Sequence, residues 1–471
     1  MNDLVEVRAG VYHDSVSLMR VSQALAALPG VSVAIVAMAT ELNVGLARDA
    51  GFAVPATTPG DLLVAIRASS DDAVREAAAE LDRRLAAREA AGTARGEDRP
   101  PRTTRSAARA AARGAAGSGG ATIALVSVPG ECAFLEAADA VEAGLSVMIF
   151  SDNVPVEQEI LLKDRAREKG VLVMGPDCGT AVIGGAGLGF ANVLRPGPVG
   201  VVAASGTGAQ QVTSLLDLAG VGVSHLLGVG GRDLSAEVGG RSAIQALRAL
   251  DADPATELIL LVSKPPAPEA ADAVRDLGLG TKLVTALLGP GQDDLTAAVE
   301  KVLGALGREV PAWPSWPAPP GAPGTPGSEC RGPLRGLYSG GTLCTEAAVI
   351  ARSGEFTDFG DDAYTRGRAH PMIDPALRLE ALDAVESGVV LLDVVLGHGA
   401  DPDPSARLAP AVARACGRGV AVVVALVGTE GDPQGLHAQA ARLNEAGAAV
   451  FTSNAAAARH ARDLVAARVH S

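Results

Sequence analysis

The chain has 471 residues, which predicts about three domains of ordinary size. Apolar residues make up 48% of it and aromatic residues only 3%, so its hydrophobic cores must consist of aliphatic side chains. The net charge of -14 argues against general nucleic-acid binding, because it implies no surface that neutralises phosphates.

The first residues lack the basic-then-apolar pattern of a signal peptide, and no apolar run reaches the length of a membrane span. The five cysteines are dispersed and show no CxxC spacing, which fits a reducing compartment better than a disulfide framework. We therefore expect a cytoplasmic protein that binds neither membranes nor nucleic acid. The histidines show no metal-ligand spacing, so no metal site is predicted.

Two segments interrupt the pattern of the chain. Residues 92–120 are rich in alanine and arginine, which is typical of a solvated linker, although a docking arm for an acidic partner is the alternative. Residues 311–333 contain eight prolines, which exclude a helix and a central strand. We expect an extended interdomain linker there, held against a neighbouring surface by Trp313 and Trp316.

Short apolar runs alternate with helical patterns along the rest of the chain. The runs that predict buried strands are 123–128, 146–150, 171–174, 199–203, 258–262, 283–288, 389–396 and 420–427. Continuous apolar runs separated by helices indicate parallel sheets that are covered on both faces. The predicted fold class is therefore α/β, with repeated doubly wound domains whose ligands lie at the carboxyl ends of the strands.

Two short glycine-hydroxyl turns are candidate anion sites. They are Ser205-Gly206-Thr207-Gly208 and Ser339-Gly340-Gly341-Thr342, and each follows an apolar run and opens an amphipathic helical pattern. A helix that begins on glycines and hydroxyls presents free backbone N–H groups and the positive end of its dipole to an anion. Two such turns predict a phosphorylated intermediate that is held between two helix ends.

Two further segments follow predicted strands and are candidate substrate-binding groups. Pro176-Asp177-Cys178 includes a thiol that is either a nucleophile or a small buried apolar side chain. Gly230-Gly231-Arg232 either lets the backbone approach a ligand, with Arg232 binding a carboxylate or phosphate, or forms a tight strand exit with a surface ion pair.

A polar loop around His370 supplies the candidate catalytic residues. His370 is a general acid/base near neutral pH, a surrogate phosphohistidine, or a loop histidine that is hydrogen-bonded to the backbone. Arg368 suits oxyanion binding, and Asp374 either orients the imidazole or belongs to an ordinary turn. Asp393 lies inside the apolar run 389–396 and is either an active-site polar group or a hydrogen-bond acceptor that stabilises the fold. Lys264 follows a predicted strand and either reaches a substrate carboxylate or is solvated.

The middle of the chain, from SVPGECAFLEAADAVEAG through VMGPDCGT and VAASGTGAQ to GVGGRDL, resembles the alpha subunit of succinyl-CoA synthetase. The final third, opening at LYSGGTLCTEAA, resembles the carboxy-terminal domain of the beta subunit. In that family one helix from each such domain points its amino end at a phosphohistidine. The resemblance places the turns at Ser205 and Ser339 at those two helix starts, and the turn at Gly230 beside the active site.

Eight segments in the same order, among them YHDSVSLM, GVGGRDLSAEVGG, GRAHPMIDP and LLDVVLGHGA, resemble the FdrA family of acyl-CoA-synthetase-like proteins encoded with ureide-degradation enzymes. The resemblance implies a component of an oxamate carbamoyltransferase, which interconverts oxalurate plus phosphate with oxamate plus carbamoyl phosphate. It further implies a small acyl or carbamoyl substrate, partner subunits from the same pathway and an oligomeric assembly.

Two departures from succinyl-CoA synthetase bear on the reaction. Residues 8–19 contain Gly10 as their only glycine, where the synthetase has a glycine-rich turn for CoA. Residues 282–291, KLVTALLGPG, lack the histidine that carries the phosphate. The sequence therefore predicts phosphate or acyl phosphate as the ligand, with CoA as a possible one. The alternatives are a CoA-binding subunit of an acyl-CoA synthetase and a non-catalytic scaffold.

These arguments divide the chain into four parts. Residues 1–195 are expected to form a Rossmann-like domain of the CoA-binding type, with 92–120 as an insertion. Residues 196–310 and 334–471 are expected to form two flavodoxin-like domains of the succinyl-CoA synthetase type, joined by the proline-rich linker 311–333.

Overall fold

The structure is a computed structural model that describes residues 2–11, 13–92, 103–114, 121–325, 332–365 and 368–466. The chain divides into two compact units. The first comprises residues 1–145, 151–154 and 365–369, and the second comprises residues 146–150, 155–364 and 370–471.

The first unit begins with alternating strands and helices. Its elements are β1 (Asn2–Arg8), α1 (Ser15–Ala26), β2 (Val31–Met38), α2 (Glu41–Asp49), β3 (Leu62–Ala68), α3 (Asp71–Gly92), α4 (Thr104–Gly114), β4 (Ile123–Val126) and α5 (Gly130–Glu142). Side chains of Asp14 and Thr40 accept backbone N–H groups at the starts of α1 and α2, as helix N-caps do.

The first three strands form an antiparallel sheet in the order β1-β3-β2. Alternate residues of the central strand point to opposite faces, so Leu62 and Val64 pack against α1 and α3 while Leu63 packs against α2 and Phe52. This arrangement differs from the Rossmann-like domain expected over residues 1–195. A central antiparallel strand that is buried on both faces shows the same continuous apolar run as a parallel strand, so composition does not distinguish the two.

Part of the expected linker 92–120 is helical. Residues 93–102 and 115–120 lie outside the described part of the chain, but α4 lies between them. The Arg105 backbone N–H donates to Asp139 Oδ2 at 3.1 Å, and the Arg105 guanidinium pairs with the same carboxylate at 3.1 Å. Alanine and arginine are strong helix formers, and the linker interpretation gave that preference too little weight. One alternative for this segment was a docking arm for an acidic partner, and the acidic group that Arg105 contacts is Asp139 of the same chain.

The second unit contains two six-stranded sheets. Its first elements are β5 (Ser146–Ile149), α6 (Val156–Lys169), β6 (Val173–Met174), β7 (Thr180–Ile183), β8 (Ala186–Gly189), β9 (Pro196–Ala203), α7 (Gly206–Leu218), β10 (Val223–Gly228), α8 (Arg241–Asp251), β11 (Leu258–Val262), α9 (Pro268–Arg275), β12 (Lys282–Ala286) and α10 (Leu295–Ala305). The strand order is β12-β11-β9-β10-β7-β8, in which β12, β11, β9 and β10 are parallel and β7 and β8 form an antiparallel hairpin.

The remaining elements of the second unit form the other six-stranded sheet and its helices. They are β13 (Ser315–Trp316), β14 (Leu334–Tyr338), α11 (Gly341–Ala351), β15 (Glu355–Asp358), α12 (Asp362–Thr365), α13 (Ala376–Asp383), β16 (Val389–Val395), α14 (Pro404–Gly417), β17 (Ala421–Val427), α15 (Leu436–Glu445), β18 (Ala449–Phe451) and α16 (Asn454–Ala466). The order is β13-β18-β17-β16-β14-β15, parallel except for β13. Its core is aliphatic, as the composition predicts.

The α/β class and all eight predicted strands are confirmed. In the proline-rich segment, residues 315–316 add an edge strand beside β18, where missing N–H donors are tolerated. Trp313 Nε1 donates to Glu300 at 3.1 Å, and the Trp316 ring lies 5.5 Å from the His437 ring, so both tryptophans contact neighbouring elements as expected. Residues 326–331 lie outside the described part.

Among the helices that the structure describes, none combines the length and the apolar character that a membrane crossing requires.

Candidate functional site

The two glycine-hydroxyl turns meet. Ser205 is the N-cap of α7, and its hydroxyl accepts the Gly208 N–H at 3.0 Å. The same hydroxyl donates to Thr342 Oγ1, in the first turn of α11, at 2.6 Å. The amino ends of the two helices therefore lie side by side at the carboxyl ends of their sheets.

Glycine at position 340 makes this approach possible. A Cβ at Gly340 would lie 2.5 Å from Thr207 Oγ1 and 2.7 Å from Thr207 Cγ2. At such distances any larger residue would force the two turns apart. Gly206 and Gly341, the first residues of the two helices, are partly exposed, so both helix starts open to solvent.

Asp393, within β16, organises the second turn. Its carboxylate accepts the backbone N–H groups of Ser339 at 2.7 Å and Gly340 at 2.9 Å, and it pairs with Arg378 at 3.0 Å. Burial raises the pKa of Asp393, while Arg378 opposes that effect. Of the two roles that the sequence left open, the structure shows the hydrogen-bond acceptor. The N–H groups of Ser339 and Gly340 are occupied by this contact, so Gly341 and Thr342 are the donors at the helix start.

Two charged side chains flank the start of α11. A Cβ at Gly341 would overlap Asp358 Oδ2 and would lie 3.2 Å from Lys264 Nζ. Asp358 ends β15 and accepts the Gly360 N–H at 2.9 Å, whereas Lys264 follows β11 and is exposed. Burial raises the pKa of Asp358, and the neighbouring Asp393 raises it further. Sequence reasoning did not single out Asp358 because β15, the strand it ends, was not predicted.

His370 lies near this pair but does not titrate near neutral pH. Its Nδ1 accepts the Met372 N–H at 3.2 Å, so the neutral ring carries its proton on Nε2. A Cβ at Gly360 would lie 2.9 Å from that Nε2. Burial lowers the pKa of His370 to about 4, and Arg378 contributes to the shift. These contacts fit the loop histidine that is hydrogen-bonded to the backbone, and the role as general acid/base stays a prediction that the lowered pKa disfavours.

Asp374 does not orient His370 as one interpretation expected. Asp374 Oδ1 accepts from Arg407 at 2.7 Å and from the Ala376 N–H at 3.2 Å. Within the described residues neither ring nitrogen of His370 bonds to Asp374, whose carboxylate serves the turn before α13. Arg368 is exposed in segment 365–369 of the first unit.

The structure brings the turns at Pro176 and Gly230 together. Gly230 has φ +88°, and a Cβ there would overlap Pro176 O. A Cβ at Gly231 would lie 3.7 Å from Asp177 Oδ2. Cys178 is buried, and burial raises its pKa to about 12, so the structure supports the buried apolar role rather than the nucleophile.

Arg232 belongs to an ion cluster that sequence reasoning missed. It pairs with Glu159 at 3.0 Å, and Glu159 and Asp233 each pair with Lys163 Nζ at 2.7 Å. Glu159, Lys163 and Asp233 are all at most 2% exposed. Arg232 is thus engaged in an ion pair, which agrees with the second of its two interpretations. The (i, i+4) spacing of Glu159 and Lys163 is typical of a surface pair and gives no signal of burial.

The chain also contains a cavity of about 420 Å³ that is distant from these groups. It lies at the amino ends of β9 and β11 and is lined by residues such as Pro198 and Glu257. Because Ser205 follows the opposite, carboxyl end of β9, this cavity does not belong to the candidate site.

Comparison with known proteins defines the class. Residues 337–464 match the family described as CoA-ligase, and residues 1–101 match the family described as AllF, heavy metal-associated domain. The chain therefore contains a CoA-ligase-like region and an AllF-like amino-terminal domain. It is 35% identical over 520 residues to "Uncharacterized protein YahF" of Escherichia coli (strain K12), covering 99% of each chain. It belongs to the same family as YahF.

Shorter similarities involve named ligases. The alpha 2 subunit of succinate–CoA ligase from Archaeoglobus fulgidus is 30% identical over 148 residues, which are 31% of this chain and 50% of that protein. The malate–CoA ligase alpha subunit of Methylorubrum extorquens is 30% identical over 149 residues, 30% of this chain and 48% of that protein. The chain thus spans about half of each.

Solved structures show more distant likeness. A dinucleotide-forming acetyl-coenzyme A synthetase from Ca. Korarchaeum cryptofilum, in complex with phosphate and ADP, gives a TM-score of 0.30 at 15% identity, covering 79% of this chain and 93% of that one. The more specific resemblance to FdrA stays a prediction.

The residues of the amino-terminal domain do not fit a heavy-metal site. Residues 1–101 contain no cysteine and one histidine, His13. His13 Nε2 is buried without a hydrogen-bond partner among the described residues, but one imidazole is not a coordination shell. No group of three or more metal-ligating side chains is found in the described part of the chain.

Proposed function

We propose that this protein transfers an acyl group between phosphate and an acceptor, as the acyl-CoA-ligase-like component of an enzyme. The observation that carries the proposal is the 2.6 Å contact between Ser205 Oγ and Thr342 Oγ1, which brings two helix amino ends to one point. Free N–H groups at helix starts bind phosphate and carboxylate, and oriented N–H donors stabilise the oxyanion that forms when a carbonyl becomes tetrahedral.

The position of Lys264 supports an anionic ligand. Its ammonium group lies 3.2 Å from where a Cβ of Gly341 would be, at the positive end of α11. A cation is disfavoured at that end of a helix dipole. In the described part of the chain Lys264 makes no ion pair or side-chain hydrogen bond. A bound phosphate or carboxylate would place a negative charge beside the Lys264 ammonium and the positive end of α11.

The ligase relatives support CoA as the acceptor, since two of them are named as succinate–CoA and malate–CoA ligase subunits. In this direction a thiol attacks the carbonyl carbon of an acyl phosphate, and phosphate leaves. The chain has no histidine in residues 282–291 and no Walker A motif, so we propose that partner subunits in an oligomer supply the activated acyl group.

A second candidate is transfer of a carbamoyl group from oxalurate to phosphate, with release of oxamate. The specific observation in its favour is the loss of the histidine in residues 282–291 and of the glycine-rich CoA turn in residues 8–19, while both helix starts are kept. A site without a protein-bound phosphate carrier suits inorganic phosphate as the nucleophile, and this reaction needs no nucleotide.

The test uses the full chain with its candidate partner subunits. Acyl-CoA formation from succinate or malate with CoA and ATP, and carbamoyl phosphate formation from oxalurate and phosphate, are measured side by side. Acyl-CoA formation would support the leading proposal, and nucleotide-independent carbamoyl phosphate would support the second. Absence of both products, with phosphate binding also undetectable by calorimetry, would leave the scaffold interpretation.

A matched pair of variants localises the activity. Thr342→Val removes the hydroxyl contact to Ser205, whereas Thr256→Val removes a similar contact to Ser224, at 2.7 Å and at the amino end of the sheet. We expect the first variant to lose activity and phosphate affinity and the second to keep both. Equal loss in both variants would contradict the assignment of the site.

A further inference from the structure

We propose that Asp358 is the group that moves the proton in this acyl transfer, and that His370 beside it serves as a neutral hydrogen-bond donor. The inference rests on the proposed function, and it assigns a residue that the sequence patterns did not identify. It is carried by the placement of the Asp358 carboxylate between the start of α11 and the loop that holds His370.

The two carboxylate oxygens of Asp358 have different surroundings. Oδ1 accepts the Gly360 N–H at 2.9 Å, which holds the side chain in place. Oδ2 lies against Gly341, where a Cβ would overlap it. Because Gly341 has no side chain, Oδ2 lies beside the first residue of α11, where the substrate phosphate is proposed to bind.

Several charged or titratable groups surround Asp358. They are Lys264 after β11, Asp393 within β16, Arg378 on α13, Cys344 on α11, Asp361 and His370. Burial and the Asp393 charge raise the pKa of Asp358, whereas Lys264 lowers it. A carboxyl group whose pKa moves toward the working pH accepts and releases a proton more effectively than an ordinary aspartate.

His370 is poorly suited to the same task. The Met372 N–H occupies Nδ1 at 3.2 Å, and burial lowers the pKa of the ring to about 4. At neutral pH the ring is therefore uncharged and presents an Nε2–H toward Gly360. Such a group can donate a hydrogen bond to a substrate oxygen, but it takes up a proton only at acidic pH.

The proton balance is the same for both candidate reactions. With a thiol acceptor, Asp358 takes the S–H proton as the S–C bond forms, and it gives the proton to the phosphate oxygen as the C–O bond breaks. With phosphate as nucleophile, Asp358 takes the proton of HPO₄²⁻ as the O–C bond forms, and it gives the proton to the leaving amide nitrogen as the C–N bond breaks. No redox partner is needed.

Asp358→Asn tests the inference, because the amide oxygen still accepts the Gly360 N–H. We expect kcat to fall about 100-fold or more, with loss of the acidic limb of its pH profile. Glu355→Gln, on the same strand and exposed, is the matched control and should keep both the rate and the profile. His370→Gln, which keeps an amide donor, should lower kcat and leave the acidic limb in place.

The possible results separate this inference from the proposed function. An active wild-type enzyme whose Asp358→Asn variant keeps its rate and pH profile would overturn the role of Asp358 alone. A wild-type assembly without either product would overturn the proposed function and this inference together. If circular dichroism shows that Asp358→Asn does not fold, Asp358→Glu replaces it: a displaced acidic limb supports the inference, and an unchanged rate and profile overturn it.

Discussion

At the residue scale, burial decides what an ionisable side chain does here. His370 has the residue type and the polar sequence context of a general base, yet its buried ring is neutral at pH 7 because its pKa is lowered to about 4. Asp358 stands in an inconspicuous sequence, and its placement beside Gly341 makes it the better candidate. Neither outcome could be read from residue type, because desolvation depends on neighbours from other elements.

The cluster around Lys163 gives the first prediction. Lys163→Met leaves the buried carboxylates of Glu159 and Asp233 without their shared cation and should lower the free energy of unfolding by about 3–5 kcal/mol. Lys301→Met, which breaks an exposed pair with Asp293, is the control and should cost about 0–1 kcal/mol. Urea unfolding measures both. Comparable losses of unfolding free energy in the two variants would show that burial does not make the Lys163 ion pairs more important for stability than an exposed pair.

Glu346 gives a prediction about pH. Its buried carboxylate accepts the Leu295 N–H and the Asn454 amide, both at 2.6 Å, and burial raises its pKa from 4.5 to about 7. A raised pKa in the folded state means that the stabilising contribution is complete below pH 4.5 and is lost as the pH rises through about 7. The stability of the wild type relative to Glu346→Gln should therefore decline between pH 4.5 and about pH 7 and change little above it. Parallel urea-unfolding curves across that range would contradict this assignment.

At the element scale, the glycine and hydroxyl residues of the two turns predicted the starts of two helices. The turns at Ser205 and Ser339 were expected to open helices, and α7 and α11 begin at Gly206 and Gly341. The eight predicted strands are present, but the prediction did not include β1, β2, β3, β10, β13 or β14, although β2 and β3 have nearly continuous apolar sequences. It also missed β7 and β8, which are short strands of one hairpin, and β15, whose residues EFTD are mostly polar.

The contact between the two helix ends gives a prediction for an element. Gly340→Ala places a methyl group within 2.7 Å of Thr207, although its φ of −120° suits any residue. We expect about 1–3 kcal/mol of destabilisation and a marked loss of phosphate affinity, because the two turns must separate. Gly304→Ala, in α10 with no atom near its Cβ, should be neutral or slightly stabilising. Thermal melts measure the stability of the two variants, and calorimetry measures their affinity for phosphate. Equal stability and affinity in both would argue against close contact between the two turns.

At the scale of the whole molecule, the chain combines an amino-terminal antiparallel sheet with two six-stranded sheets, and residues 337–464 of the second of these match the CoA-ligase family. Residues 2–92 have an apolar layer on each face of their own sheet. The family description of this domain names heavy metals, but its residues lack the thiolates and clustered imidazoles that bind such ions.

A fragment of residues 1–92 is therefore expected to unfold cooperatively by itself. Its melting temperature should not change when zinc or copper(I) is added, because a ligand stabilises only a state that binds it. Circular dichroism melts with and without metal measure this, with a chelator as the control. If the fragment binds metal stoichiometrically and His13→Ala abolishes that binding, the conclusion that these residues do not form a heavy-metal site is wrong.

The sequence by itself determined the α/β class, the buried strands, the proline-rich edge segment and the positions of the two glycine-hydroxyl helix starts. These features depend on local patterns: continuous apolar runs, helical spacing, and residues whose backbone preferences are fixed. The tertiary structure alone decided which of these features meet. The contact of Ser205 with Thr342, the capture of the second turn by Asp393, and the neutral state of His370 all depend on residues far apart in the chain. Burial and charge pairing arise only when those residues are brought together, so no local pattern encodes them.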